Sequence, residues 1–217
     1  MVVLPCRRSS IPENCEPCRC QDPANPVVIH GGFQECRGAF IGSNIFYAEN
    51  VEEELDADRE WFMKGQTLMY IPENGTDPNS PATAIFGAVL KQVIAVDGAA
   101  RLTFRGLTVT HTAPTFLDPY ECPSGGDWAI HRGAAVFVQD STNITIEGCS
   151  FDQPSGNAVL FSNAVNSSAV RKCRFKDVGD SAIAMLGSSR LMVGTAGSGK
   201  FPTDNVIEAN LVDTVQL

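Results

Sequence analysis

The segment GAAVFVQDSTNITIEGCSF is followed by GNAVLFSNAVNSSAVRKCRF, then by GDSAIAMLGSS and, past an insertion, by NVIEANLVDTV. The copies recur at a spacing of about 24 residues, as short β-rich runs broken by Gly, Asn, Asp and Ser. That is the sequence of one turn of a parallel β-solenoid. Aligned, the copies place Phe104, Ile146, Val170 and Ile207 in one column, Leu107, Cys149, Cys173 and Asn210 in a second, and Val109, Phe151, Phe175 and Val212 in a third. Polar residues alternate with these columns, so one face points inward. Ala135, Ala158 and Ala182 also align, with Phe137, Leu160 and Ala184 two residues later, so each coil holds at least two strands.

Between the strands lie QDSTN, SNAVNSS and GSS, whose small polar side chains suit a corner where the backbone leaves the strand and must still be hydrogen-bonded. Stacked coils sit about 4.8 Å apart, so equivalent side chains form ladders and each coil buries its apolar face only against its neighbours. An antiparallel sandwich would also have many short strands, but hairpins do not produce agreement between columns across a fixed period. The helical signal is confined to Glu52–Trp61, enough for one short helix or turn.

With 217 residues, 43% of them hydrophobic, the chain can bury a sizeable core. The economical organisation is a Cys-rich extension over residues 1–30 and one solenoid domain over 31–217. The chain reaches Leu217 straight after a core strand, with no polar capping coil. That predicts a fragment whose open end exposes core and lowers solubility. A formal charge of −9 without basic clusters argues against nucleic acid and anionic membrane as partners. No apolar run has the 18 or so residues needed to span a bilayer, and no cofactor motif is complete. In GSGK (197–200) the lysine precedes Phe201 and Pro202, where a phosphate loop requires Ser or Thr and then a helix.

N-x-S/T sequons at Asn74, Asn143 and Asn166, together with eight cysteines, point to an extracellular or cell-surface glycoprotein. Cys6, Cys15, Cys18, Cys20 and Cys36 read as disulfide partners or, less well, as a zinc site lacking its second ligand pair. Cys149 and Cys173 are expected to be reduced and buried in their ladder.

Sites in a solenoid arise where an insertion leans over a face. The insertion from His111 to Arg132 holds such a set. Trp128 and Tyr120 offer flat faces to pyranose C–H groups, while Asp127, His131 and Arg132 supply directional hydrogen bonds, as expected of an oligo- or polysaccharide site. A plain capping loop is the competing reading. The column Thr110, Asp152, Lys176, Asp213 alternates in charge and reads as an exposed ion-pair ladder, and Asp180 reads as a turn former after Gly179. Neither supplies a compelling pair of hydrolytic carboxylates.

From Tyr47 to Pro72 the chain reads YAENVEEELDADREWFMKGQTLMYIP, and from Val93 to Thr112 it reads VIAVDGAARLTFRGLTVTHT. Together with GDWAIHRG at 126–133, this resembles the secreted right-handed parallel β-helix repeat proteins of the pectin-lyase-like superfamily, which include β-helix xylosidase-type glycoside hydrolases. The resemblance covers residues 31–217. It implies an all-β right-handed parallel β-helix and a carbohydrate-active protein, with the catalytic carboxylates on later coils than those present. A non-catalytic glycan-binding, adhesion or structural β-helix surface protein is the second expectation. Asp58-Arg59 stands where many relatives carry Pro-Gly, which puts the turn there in question.

Overall fold

The computed structural model describes residues 2–3, 19–22, 25–28, 47–48, 50–83, 85–116, 118–121, 130–188 and 199–215. The chain divides into two compact units, Met1–His30 with Phe40–Phe86, and Gly31–Ala39 with Gly87–Leu217.

The first unit contains β1 (Val2–Val3), β2 (Arg19–Asp22), β3 (Asn25–Val28), β4 (Tyr47–Ala48), β5 (Trp61–Lys64) and β6 (Thr67–Tyr70). All pairings here are antiparallel: β1 with β4, β2 with β3, and β5 with β6. The short helix or turn expected over Glu52–Trp61 is a 3-10 turn at Glu52–Glu54, and Trp61 already belongs to β5. Local side-chain bonds hold the extended form. Asn50 brackets the Met63 backbone, donating to its carbonyl at 3.1 Å and accepting from its N–H at 2.6 Å, and Glu60 accepts the Asp56 and Ala57 N–H groups. Arg59 holds a left-handed φ of 73°, the conformation a glycine would take, while its guanidinium meets Glu73.

The second unit is a stack of coils, each contributing one strand to each of three sheets. The first coil holds β7 (Ile94–Asp97), β8 (Ala100–Arg105) and β9 (Thr108–Thr112); the second holds β10 (Val136–Gln139), β11 (Thr142–Glu147) and β12 (Ser150–Pro154). The third holds β13 (Val159–Ser162), β14 (Ala169–Arg171) and β15 (Arg174–Lys176), and the fourth β16 (Ile183–Leu186), β17 (Val206–Glu208) and β18 (Leu211–Val212). The sheets run β7-β10-β13-β16, β8-β11-β14-β17 and β9-β12-β15-β18, with every pairing parallel.

The first and third columns have the expected register. Ile146 pairs with Phe104 and Val170, Val170 with Ile207, and Phe151 with Val109 and Phe175. Ile146, Phe151, Val170 and Phe175 are buried, with Cys149 and Cys173, both free thiols, in the same core. In the fourth coil Ile207 and Val212 are about half exposed, 49% and 48%.

Each coil bends through left-handed residues at matching positions. Between the second and third strands these are Gly106, Gly148, Lys172 and Ala209, with φ from 52° to 66°. Asp140 and Asn163 turn the chain between the first and second strands, and Ser141 and Ser168 follow them with hydroxyls that accept the backbone N–H of Ala99 and Ile144. The polar corners thus do what their composition predicts.

One column faces the other way. Val136, Val138, Val159 and Phe161 belong to the main core, whereas Phe137, Leu160 and Ala184 join a second apolar cluster with Ile130, Ala134 and Leu186. Successive strand residues point to opposite faces, so this cluster lies on the outer side of the first sheet. An outward apolar column would be exposed unless something covered it. Ile130, near the end of the first insertion, and Ala134, just past it, do so.

Candidate functional site

The insertion is anchored at both limbs. Ala113 donates to the Leu90 carbonyl, and Glu121 and Ile130 exchange backbone bonds that bring the two limbs together. Beneath the return limb lies Asn157, 1% exposed, whose amide donates to the carbonyls of His131 and Gly133 at 2.9 Å and accepts the Ser181 N–H at 3.2 Å. Gly133 passes under the His131 ring so closely that a Cβ there would lie 2.6 Å from Nε2. Arg132 forms a bidentate pair with Glu121 at 2.7 Å and reaches the Ser162 hydroxyl at 2.8 Å and the Gly187 carbonyl at 2.9 Å, clamping the limb to the third and fourth coils.

On this frame Tyr120, His131, Asp118 and Asp180 come together. His131 Nδ1 lies 3.1 Å from the Pro119 carbonyl; a carbonyl only accepts, so this nitrogen carries the proton. Nε2 then faces Asp118, 3.8 Å away, and Asp118 is itself bonded by Lys91 at 2.5 and 2.7 Å. The Tyr120 ring sits 6.0 Å from the imidazole at a tilt of 47°, and its hydroxyl donates to Asp180 Oδ2 over a long 3.5 Å. Ser181 donates to the other oxygen at 3.3 Å.

Burial pushes the Asp180 carboxyl above the usual range, and the hydroxyls of Ser181 and Tyr120, with nearby His131, only partly oppose it. The Tyr120 hydroxyl is raised too, first by burial and then by the negative charge of Asp180. Thr115, 5% exposed, has a buried hydroxyl without a partner, packed over Gly156.

Of the residues expected from sequence, Tyr120 and His131 are brought together. Arg132 stands beside them, but its guanidinium is occupied by Glu121, Ser162 and Gly187. Asp127 and Trp128 lie outside the described residues. Sequence reasoning counts Asp118 among the acids of the insertion without giving it a role, and misses Lys91 and the anchoring role of Asn157. It read Asp180 only as a turn former, whereas the side chain also meets Tyr120 from 60 positions away.

Elsewhere, Lys200 of the second insertion donates to Asp140 at 2.9 Å. The expected ladder on the third strands is not formed. Asp152 stands in register with Lys176, yet Lys176 lies nearest Asp177, Arg174 takes Asp213, and Asp152 Oδ1 is buried without a partner. The ion ladder runs on the second strands instead, where Glu147, held low by Arg105, also faces Arg171 and Lys172. Asn74 and Asn143 are exposed at left-handed positions, while Asn166 is half-buried and accepts a bond from Thr203. Cys6, Cys15, Cys18, Cys36 and Cys122 lie outside the described residues. Among the described residues no group of His, Cys, Asp and Glu could hold a metal ion, and no helix is long and apolar enough to cross a membrane.

The family model for a right-handed β-helix region matches residues 92–195. No curated protein and no solved structure matches the chain. The match and the stacked parallel sheets together make this an all-β, right-handed parallel β-helix.

Proposed function

We propose that this is a carbohydrate-active β-helix protein that works outside the cell, and that the insertion lying over the first sheet is its sugar subsite. One observation carries the reading. The Tyr120 ring, the edge of the His131 imidazole and the half-buried carboxylate of Asp180 converge on a frame held rigid by Asn157 and Arg132. A flat aromatic face beside directional hydrogen-bonding groups suits a pyranose, whose C–H face packs on the ring while its hydroxyls bond the polar edge. Asp127 and Trp128, in the same insertion, would extend the subsite. Rigid support keeps the entropic cost of binding low.

Binding rather than cleavage is the role assigned to these residues. Hydrolysis needs two carboxyl groups free to act as acid and as nucleophile or base. Asp118 and Glu121 are tied to Lys91 and Arg132, so the second carboxylate of a hydrolase would come from coils other than these. This also favours the second expectation, a non-catalytic glycan-binding surface protein, to the same degree. Titration of the secreted protein with neutral, amino and uronate oligosaccharides, with product release followed in parallel, tests both. Binding lost on Tyr120→Ala supports the subsite, and turnover separates enzyme from scaffold. Affinity unchanged by Tyr120→Ala removes the subsite.

A further inference from the structure

Six of the described acids of the second unit lie within ion-pair distance of a Lys or Arg. Asp118 takes Lys91, Glu121 takes Arg132, Asp140 takes Lys200, Glu147 takes Arg105, Asp177 lies nearest Lys176, and Asp213 takes Arg174. Among the described residues Asp180, like the part-buried Asp152 and the exposed Asp97, Asp204 and Glu208, has none, and of these it is the one bonded by the Tyr120 hydroxyl. Its bonds are two long ones from the neutral hydroxyls of Tyr120 and Ser181. A half-buried carboxylate is costly to leave without a cation.

We infer that the sugar selected at this site is a cationic amino sugar, its ammonium seated on Asp180 and its ring against Tyr120. The inference rests on the sugar-subsite reading and names its substrate class. A protonated amine supplies what Asp180 lacks, a charge-assisted donor, and the face of Tyr120 attracts the same cation. A uronate fits poorly: its carboxylate would meet Asp180, and Lys91 and Arg132, the cations bonded to the acids of the insertion, are already engaged. A divalent metal fits no better, since calcium takes six to eight oxygen ligands and the site offers two hydroxyls and one carboxylate not already held by a lysine. A neutral sugar could accept the geometry but would leave the charge uncompensated. The raised Asp180 carboxyl agrees with this, because a bound ammonium would restore the ionised form.

The test titrates the folded protein at about pH 6 with tetramers of glucosamine and of galactosamine and with their N-acetylated counterparts. N-acetylation removes the charge and keeps the ring. The expected result is that an amino tetramer binds about ten- to a hundred-fold more tightly than its N-acetylated form. Raising the salt concentration should weaken only the amino form. Asp180→Asn should abolish the preference for the amino form. The salt series on the unaltered protein keeps the inference testable if that variant does not fold. Equal affinity for amino and N-acetylated forms, or a preference that survives Asp180→Asn, overturns the inference and leaves the sugar subsite standing. Failure of every tetramer to bind overturns both.

Discussion

Phe151 and Phe175 lie face to face on adjacent coils, their ring centroids 4.8 Å apart and their planes within 7° of parallel. Both are fully buried, at 1% and 0% exposed. The stack is a direct product of the repeat: two in-register positions on neighbouring parallel strands are one strand spacing apart, so identical aromatic residues there must stack. Phe175→Ala should cost about 3–5 kcal/mol, since each coil packs only against its neighbours and cannot collapse around the void. Denaturant unfolding should show a lowered midpoint. A loss below about 1 kcal/mol would mean that the coils around Phe175 do not form this core.

Columns such as Ile146 and Phe151 are legible in the sequence because the same positions recur in successive coils and alternate with polar residues. The outward column was not. VFVQ, VLFS and IAML are apolar on both faces, so alternation cannot reveal that Phe137, Leu160 and Ala184 turn away from the core toward Ile130 and Ala134. The third strand of each coil was hidden for a different reason: the bend at Gly148 or Lys172 is a single left-handed residue, too short to read as a break. Asp180 reads as a turn residue because its local context is a turn. Its meeting with Tyr120 depends on how an insertion without a register folds back, and no periodicity encodes that.

Asn157 should be the most damaging polar position to truncate. It is buried, donates to two carbonyls of the return limb and accepts one backbone N–H, so Asn157→Ala leaves the part-buried Gly133 carbonyl and Ser181 N–H without these partners, while the His131 carbonyl keeps the Gly133 N–H. The expected loss is about 3 kcal/mol or more. The limb carrying His131 and Arg132 should loosen as well, and hydrogen exchange at Ile130–Ala134 should report it. A variant that loses stability with unchanged exchange there would contradict the anchoring role.

Lys172 and Gly148 occupy the same bend of successive coils, at φ of 55° and 59°. A left-handed conformation costs a residue with a Cβ about 1–2 kcal/mol, and glycine almost nothing. Lys172→Gly should therefore stabilise the coil by about 0.5–1 kcal/mol, since the contact of the exposed Lys172 ammonium with Glu147 is long, at 3.6 Å, and contributes little. Gly148→Ala should destabilise by a comparable amount through backbone strain alone, because a Cβ there meets no atom within 4 Å. Thermal unfolding of both variants checks the opposed signs; a shift in the same direction would show that the bend is not under this constraint.

The pH dependence of stability isolates Asp180. Its carboxyl is raised by burial in the folded protein and returns to about 3.9 when unfolded. Between those two values the folded state holds more protons, so stability falls as pH rises through this window and is restored as pH drops below it. Asp140 and Glu147 act in the opposite sense, since Lys200 and Arg105 hold their carboxyls low; what they contribute is present at neutral pH and lost on acidification. The two effects overlap in the wild-type profile, and the difference from Asp180→Asn separates them. The variant should gain on the wild type as pH climbs from about 4 towards neutrality, and the difference should level off once Asp180 is fully ionised. Denaturant midpoints measured across that range give the result directly. Profiles that run parallel would place Asp180 in water rather than against the Tyr120 ring, and a saturating cationic ligand should flatten the difference by supplying the charge that the folded site lacks.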